Sequence, residues 1–424
     1  MKEFHVKKLI PSGDTISVEV PASKSLLNRA LILSAFCKGE IELICGSFAE
    51  DTRVLLSALD SLGIKIAVKQ SSIFVTGCGG KVPNRKAELS VGSAGTAARF
   101  LTVMLAFCGG DYTINSSLQM QKRPMDVLYL LEENGVKFEF LEEPYHFPFR
   151  MHSDGITASE LTADTDKSTQ YASGILLAAA AAQNQPLKLK LTGSRTQGSY
   201  IRLTLDMLAD FGIKTLTNEN EITVHPAPPL PKHYEVEPDI SGACYFYALS
   251  LLFGTKVLVR RVKDSSRQGD MRFLELLKAK GVRLTQQKDG LLADGSGITG
   301  HTGFDVDMRD FSDQTLTVAA LAAFADTPSR LCGVGHIRLQ ECDRVQAICE
   351  NLATLGVPAI SDGENIAITP APIQSGKIRT FEDHRVAMAF TLIGLKAGNI
   401  IIENPDCCKK TFENYFEIIS ELTK

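Results

Sequence analysis

Six stretches of the chain are apolar around almost their whole circumference, and each begins on a small or polar turn. They are SKSLLNRALILSAF from Ser23, SAGTAARFLTVMLAF from Ser93, STQYASGILLAAAAA from Ser168, ISGACYFYALSLLF from Ile240, SDQTLTVAALAAFA from Ser312 and EDHRVAMAFTLIGL from Glu382. Their starts lie 70 to 75 residues apart. A helix with no wet face must be buried on most sides, so the pattern predicts six interior helices. Between them runs a second, amphipathic kind of helix that usually closes on Gly and a short strand. DTRVLLSALDSLGIKI from Asp51, DVLYLLEENGVKFEF from Asp126, YIRLTLDMLADFGIKTL from Tyr200, RFLELLKAKGVRL from Arg272 and DRVQAICENLATLGV from Asp343 form this set. The glycine stands where a helix C-terminus needs a left-handed residue. A sixth copy, KTFENYFEIISEL from Lys410, is cut short by the C-terminus.

A repeat of this length, holding two helices and several strands, is an α/β unit rather than a short solenoid repeat. The Pro-rich stretch HPAPPLPKHYEVE, His225 to Glu237, interrupts the series after three copies and reads as a linker. Two domains of three copies each follow. The strand region before Pro21 is free to join either.

Composition narrows the function without naming it. The 424 residues are 44% apolar and 22% charged with a net charge of -4, which argues against nucleic acid or an anionic membrane as the main partner. The N-terminal MKEFHVKK is followed by no apolar run, so no signal peptide is expected. Ten cysteines without a CxxC pair read as reduced thiols in a cytoplasmic protein. Nothing in the spacing of His, Cys, Asp and Glu asks for a metal.

Several interior helices open on more polar residues than a cap requires. Lys24, Ser25 and Arg29 crowd the first, and Gly92 to Thr96 makes a small-residue turn at the second. Ser168, Thr169 and Gln170 open the third, Asp313 the fifth, and Asp383, His384 and Arg385 the sixth. Ser, Thr and Asp in these places are ordinarily only caps. Helix N-termini also offer free N–H groups and the positive end of the dipole, which suits phosphate or carboxylate.

With these motifs the chain resembles the 5-enolpyruvylshikimate-3-phosphate synthase family over essentially its whole length. The matching stretches are PASKSLLNRA from Pro21, GSAGTAARF from Gly92, QKRPM from Gln121, STQ at Ser168, DISGACYF from Asp239, SDQT from Ser312, RLQECDR from Arg338, EDHRVAM from Glu382 and CKKTFENYFE from Cys408. The resemblance implies two similar domains, each an inverted α/β barrel of three repeated βαβαββ-like units with buried helices. Residues 1–20 with 236–424 would form one, and 21–235 the inserted other, the two closing on substrate. The implied reaction moves the enolpyruvyl group of phosphoenolpyruvate to the 5-hydroxyl of shikimate 3-phosphate and releases phosphate, with no cofactor or metal. The expected partners are those two small molecules, and the expected state is a monomer.

The same resemblance implies roles for individual residues. Lys24, Gly95, Arg123, Gln170, Arg344, Arg385 and Lys410 would hold phosphoenolpyruvate. Lys24, Ser25, Arg29, Ser168, Thr169, Gln170, Tyr200, Asp313, His336 and Gln340 would hold the acceptor, with Arg29 on its carboxylate. Asp313 would be the base on the attacking hydroxyl, Glu341 the proton donor to the methylene carbon, and Lys24 would reach both substrates. A donor bearing carboxylate and phosphate needs several fixed cations, and guanidinium forks suit oxyanions. His384 is expected to be structural.

Departures from the family pattern gather around the acceptor's phosphate. Gln340 stands where the family usually has Lys, His336 where it commonly has Asn, and Gln197 where it has Ser. One charge-assisted contact, about 1.5–3 kcal/mol, would be lost, with His336, Arg195 or Lys167 as replacements. Phe100 stands where members sensitive to the herbicide glyphosate often carry Pro, while Gly95 is retained. Alternative readings are an enolpyruvyl transferase with another acceptor, a UDP-sugar among them, and a catalytically weak homologue acting as a binding protein.

Overall fold

The structure is a computed structural model that describes residues 2–166, 168–228 and 232–424. The chain divides into two compact units, Ala22–Val236 and a discontinuous one made of Met1–Pro21 with Glu237–Lys424.

In the unit Ala22–Val236 the interior helices are Lys24–Phe36, Gly95–Cys108 and Thr169–Ala182. They pack on one another, and Leu31, Leu101 and Leu176 are wholly buried. The second and third interior helices are each the crossover of a parallel strand pair. Lys86–Ser90 leads into the helix Gly95–Cys108 and then into Gly110–Asn115, which lies parallel to it. Phe149–Ser153 adds antiparallel to that strand, and Lys137–Phe140 to Phe149–Ser153. The third repeat copies this order with Glu160–Asp164, Leu187–Thr192, Glu221–His225 and Lys214–Asn218. Strand burial alternates as a sheet covered on one face demands: Leu187, Leu189 and Leu191 are buried, while Lys188 and Lys190 are not.

The other unit repeats the scheme around Ile240–Phe253, Thr315–Ala322 and His384–Ala397. Its fourth and sixth sheets are completed by the start of the chain. Ile16–Val18 lies parallel to Lys256–Arg260, and Glu3–Val6 antiparallel to Ile400–Glu403. With helices inside and sheets outside, each unit is an inverted α/β barrel. The glycines that close the five amphipathic helices, among them Gly63 and Gly212, have φ between 75 and 98°.

Three segments differ from the pattern. The fifth interior helix opens as a 3-10 turn, Ser312–Gln314, before the α-helix Thr315–Ala322; both oxygens of Asp313 in that turn are held by arginines. The sixth amphipathic helix starts at Tyr415 rather than near Lys410, because Pro405–Lys410 forms a 3-10 turn that buries Lys410. The Pro-rich stretch ends in a strand, His233–Glu235, which pairs parallel with Lys38–Ile44 and so supplies the first repeat with its missing strand.

Candidate active site

In the discontinuous unit Arg344, Arg385 and Lys410, all expected at the donor, are linked through the carboxylates of Asp313 and Glu341. Arg344 opens the helix Arg344–Thr354 and is 1% exposed. Its Nε donates to Asp383 Oδ2 at 2.7 Å, Nη1 to Asp313 Oδ1 at 3.0 Å and Nη2 to Glu341 Oε2 at 2.8 Å. Asp313 Oδ2 accepts from Arg385 Nη2 at 2.9 Å, and Glu341 Oε1 lies 3.5 Å from Lys410 Nζ. Lys410, Glu341, Arg344, Asp313 and Arg385 thus form one run of charge-assisted contacts. Burial works against the Arg344 charge, but the carboxylates of Asp383, Glu341 and Asp313 outweigh it and raise the guanidinium pKa. Asp383, fully buried, also caps its helix by accepting from the Arg385 amide at 2.8 Å. Asp343 caps the helix of Arg344 through the Gln346 amide at 2.9 Å, which fixes the turn carrying Glu341.

The residues expected at the acceptor's phosphate are placed differently from one another. Gln340 Oε1 accepts from Arg344 Nη1, so its amide is turned to that guanidinium. His336 Nε2 lies 2.9 Å from Ser312 Oγ, one residue before Asp313. His384 is buried beside Asp383, its Nδ1 3.6 Å from Oδ1.

In the unit Ala22–Val236, Lys24 Nζ is 3.0 Å from Oδ2 of the buried Asp51. Neither the helix at Lys24 nor the one at Gly95 has a side-chain cap, so their first N–H groups suit an anion. A Cβ on Gly95 would sit 2.8 Å from Arg123 Nη1; the missing side chain lets that guanidinium lie against the helix end. Gln170 Oε1 accepts from Arg99 Nη1 at 2.7 Å, and Gln170 Nε2 lies 3.4 Å from Thr96 Oγ1. Ser168 caps the helix of Thr169 through the Gln170 amide at 3.2 Å.

Arg29 is 1% exposed. It donates to Thr204 Oγ1 at 2.8 Å, to the Ser25 carbonyl at 2.8 Å, and to Ser173 Oγ and the Tyr200 carbonyl at 3.3 Å. The Phe100 and Tyr200 rings lie 5.1 and 5.8 Å from its Cζ. Every hydrogen-bond acceptor is uncharged, and burial pushes its pKa down to about 10. A buried cation without a carboxylate attracts an anion strongly. Arg195 Nη2 donates to the Asp166 carbonyl at 2.7 Å and Gln197 Nε2 to the Glu219 carbonyl at 2.9 Å. Lys167 lies outside the described residues.

Sequence reasoning assigned no site role to Asp51, Arg99 or Asp270. Asp51 reads as an ordinary first-turn acid, Arg99 sits inside a quoted motif without a role, and Asp270 carries no local signal. Among the described residues no group of three or more His, Cys, Asp or Glu converges as a metal site would, no helix is long and apolar enough to cross a membrane, and all ten cysteines are free.

The family model for EPSP synthase (3-phosphoshikimate 1-carboxyvinyltransferase) matches residues 14–419. A 3-phosphoshikimate 1-carboxyvinyltransferase of Nostoc punctiforme is 35% identical over 405 residues, covering 94% of each chain. One from Methanoregula boonei is 31% identical over 422 residues, covering 97% of this chain and 98% of its own. The solved EPSP synthase of Acinetobacter baumannii superposes with a TM-score of 0.79 at 23% identity, covering 100% of this chain and 98% of that one. That likeness concerns the fold.

Proposed function

The chain belongs to the EPSP synthase family, and from that membership we propose that it transfers the enolpyruvyl group of phosphoenolpyruvate to the 5-hydroxyl of shikimate 3-phosphate. Inorganic phosphate leaves, and the step serves chorismate and aromatic amino acid biosynthesis. The observation that carries the residue roles is the single buried guanidinium of Arg344 between Asp313 and Glu341, at 3.0 and 2.8 Å.

Addition needs a base on the acceptor hydroxyl and an acid at C3 of the donor; elimination then needs the reverse proton traffic. Asp313 is the base and Glu341 the acid. Arg344, Arg385 and Lys410, with Arg123 and Lys24, take the donor's phosphate and carboxylate. In the free protein Glu341 shares Arg344 and Lys410. Donor oxyanions that take over those cations remove what stabilises its ionised form, so Glu341 gains a proton as the donor binds. Arg29 takes the acceptor's carboxylate, for which its uncharged surroundings leave a full positive charge. Ser25, Ser168, Thr169, Gln170 and Tyr200 complete the acceptor's contacts, and His336 replaces a neutral donor at its phosphate. Gln340, turned to Arg344, acts on the donor side instead. The same reading takes the protein as a cytoplasmic monomer.

The deciding experiment is phosphate release from phosphoenolpyruvate with and without shikimate 3-phosphate. Release that depends on the acceptor supports the reading. Donor binding without turnover would point to another acceptor.

A further inference from the structure

Asp270 lies outside every motif that carries the family resemblance, yet it is built into the turn that presents Asp313. Its carboxylate is buried. Oδ2 accepts from Gln314 Nε2 at 2.7 Å and from Ser241 Oγ. The Gln314 amide is fixed at its other end by Thr317 Oγ1, 2.9 Å from Oε1. Gln314 and Asp313 share the 3-10 turn Ser312–Gln314. The loop behind Asp270 is tied down as well: Gln268 accepts from the Ile240 amide at 3.2 Å and donates to the Pro238 carbonyl at 2.8 Å.

We propose that Asp270 is a positioning residue for the transfer step, anchoring the Asp313 turn through Gln314 and keeping a negative charge beside the base. The inference rests on Asp313 being that base. In the free protein both Asp313 oxygens are held by Arg344 and Arg385. A donor that claims those two cations takes away two side-chain anchors of Asp313. The Gln314–Asp270–Ser241 link does not depend on them and holds the turn while the cations are occupied.

Among the described residues, these charged and titratable groups act on Asp270 or lie beside it. The Ser312–Gln314 turn presents Asp313, the helix His384–Ala397 presents Arg385, and the helix Ile240–Phe253 presents Cys244, itself beside Asp239. On the helix Met271–Ala279 that follows it, Arg272 is paired with Asp310 at 2.6 Å. Burial first, then the Asp313 charge, push the Asp270 pKa up to about 6, while Arg385, Ser241 and Gln314 pull it back. An ionised Asp270 disfavours a second anion at Asp313, which makes Asp313 the stronger proton acceptor. Protonating Asp270 weakens that base.

The test is the pH dependence of kcat in the wild type, Asp270→Asn, Ser241→Ala and Asp313→Asn, with thermal melts alongside. Asp270→Asn removes the charge and keeps the acceptor oxygen. Its plateau kcat should fall about tenfold, a fraction of what a general base supplies, with both KM values little changed and the acidic limb moved to lower pH. Ser241→Ala removes a donor to the anion, so Asp270 protonates at higher pH and the acidic limb moves up. Opposite movements support the proposal; titration of the substrates' own phosphates is common to all variants and cancels. Unmoved limbs in folded variants, or a change in KM alone, would leave Asp270 a structural residue. If Asp270→Asn does not fold, the Ser241→Ala limb decides alone. Near-normal turnover in Asp313→Asn would sink the base assignment and the inference with it.

Discussion

Arg344 shows how much one side chain carries. Arg344→Lys keeps the charge but replaces a fork serving Asp383, Asp313 and Glu341 with a single ammonium. At least one charge-assisted bond to the buried Asp383 is lost, about 1.5–3 kcal/mol, so the urea midpoint should drop along with kcat/KM. Gly95→Ala acts differently. The new Cβ, 2.8 Å from Arg123 Nη1, meets the far end of a flexible side chain, so the fold survives and the KM for phosphoenolpyruvate rises. Lys24→Ala and Glu341→Ala should each lower turnover by orders of magnitude while the fold survives; the melts should fall, because Lys24 pairs with the buried Asp51 and Glu341 with the buried Arg344. Asp270 gives a stability test with a defined sign. Its pKa is about 6 in the folded protein against about 3.9 in an unfolded chain. The folded state therefore binds more protons between those values, and the ionised group destabilises above pH 6, a penalty relieved as pH falls toward 4. The stability of Asp270→Asn minus that of the wild type should be larger at pH 7 than at pH 4. Lys24, Arg29, Arg123, Arg344, Arg385 and Lys410 could be named as candidates because each falls in a motif; Arg99 falls in one too, but its contact with Gln170 shows only in the fold. Asp51 and Asp270 could not be named, because a buried carboxylate leaves no periodic trace in sequence and is recognised only by the cation or amide that tertiary folding brings to it.

At the scale of elements, the six interior helices were legible because apolarity on all sides admits only burial; His384–Ala397 begins within two residues of where the pattern puts it. Strands were less so. His233–Glu235 is three residues long and lies in a Pro-rich stretch, and its partner Lys38–Ile44 is far away in sequence, so its role in the first repeat's sheet follows from topology alone. The last helix starts only at Tyr415 because the chain before it is taken up by the 3-10 turn Pro405–Lys410, which buries Lys410 and which amphipathic spacing does not register. Caps connect these elements to the chemistry. Asp343 accepts from the Gln346 amide at 2.9 Å and from Arg338 Nη1 at 2.8 Å, so it both starts the helix of Arg344 and braces the turn of Glu341. Asp343→Ala should cost about 1 kcal/mol in chemical denaturation and lower kcat, whereas Asp343→Asn keeps the cap and most of both.

For the whole molecule, the two units behave as a host and an insert. The insert's first amide, Ala22, donates to the Ser47 carbonyl at 3.0 Å, and its last, Val236, to the Ile44 carbonyl at 2.8 Å. Both ends of Ala22–Val236 are thus sewn to one segment of the insert itself. The host is sewn in the same way, because the Asp239 amide donates to the Pro21 carbonyl at 2.8 Å. Each unit also has its own apolar core and a length within the range of domains that fold alone. Residues 22–236 expressed by themselves should therefore unfold cooperatively. So should residues 2–21 joined to 237–424 through about three glycines, a span that ~3.5 Å per residue easily covers. On the roles proposed above, neither piece should release phosphate, since Lys24 and Arg123 belong to one and Asp313, Glu341 and Arg344 to the other. Calorimetric melts of the two pieces check this. A piece that melts without a cooperative transition would mean its core needs the other unit, and the adjacent chain ends would then reflect a shared folding nucleus rather than an insertion.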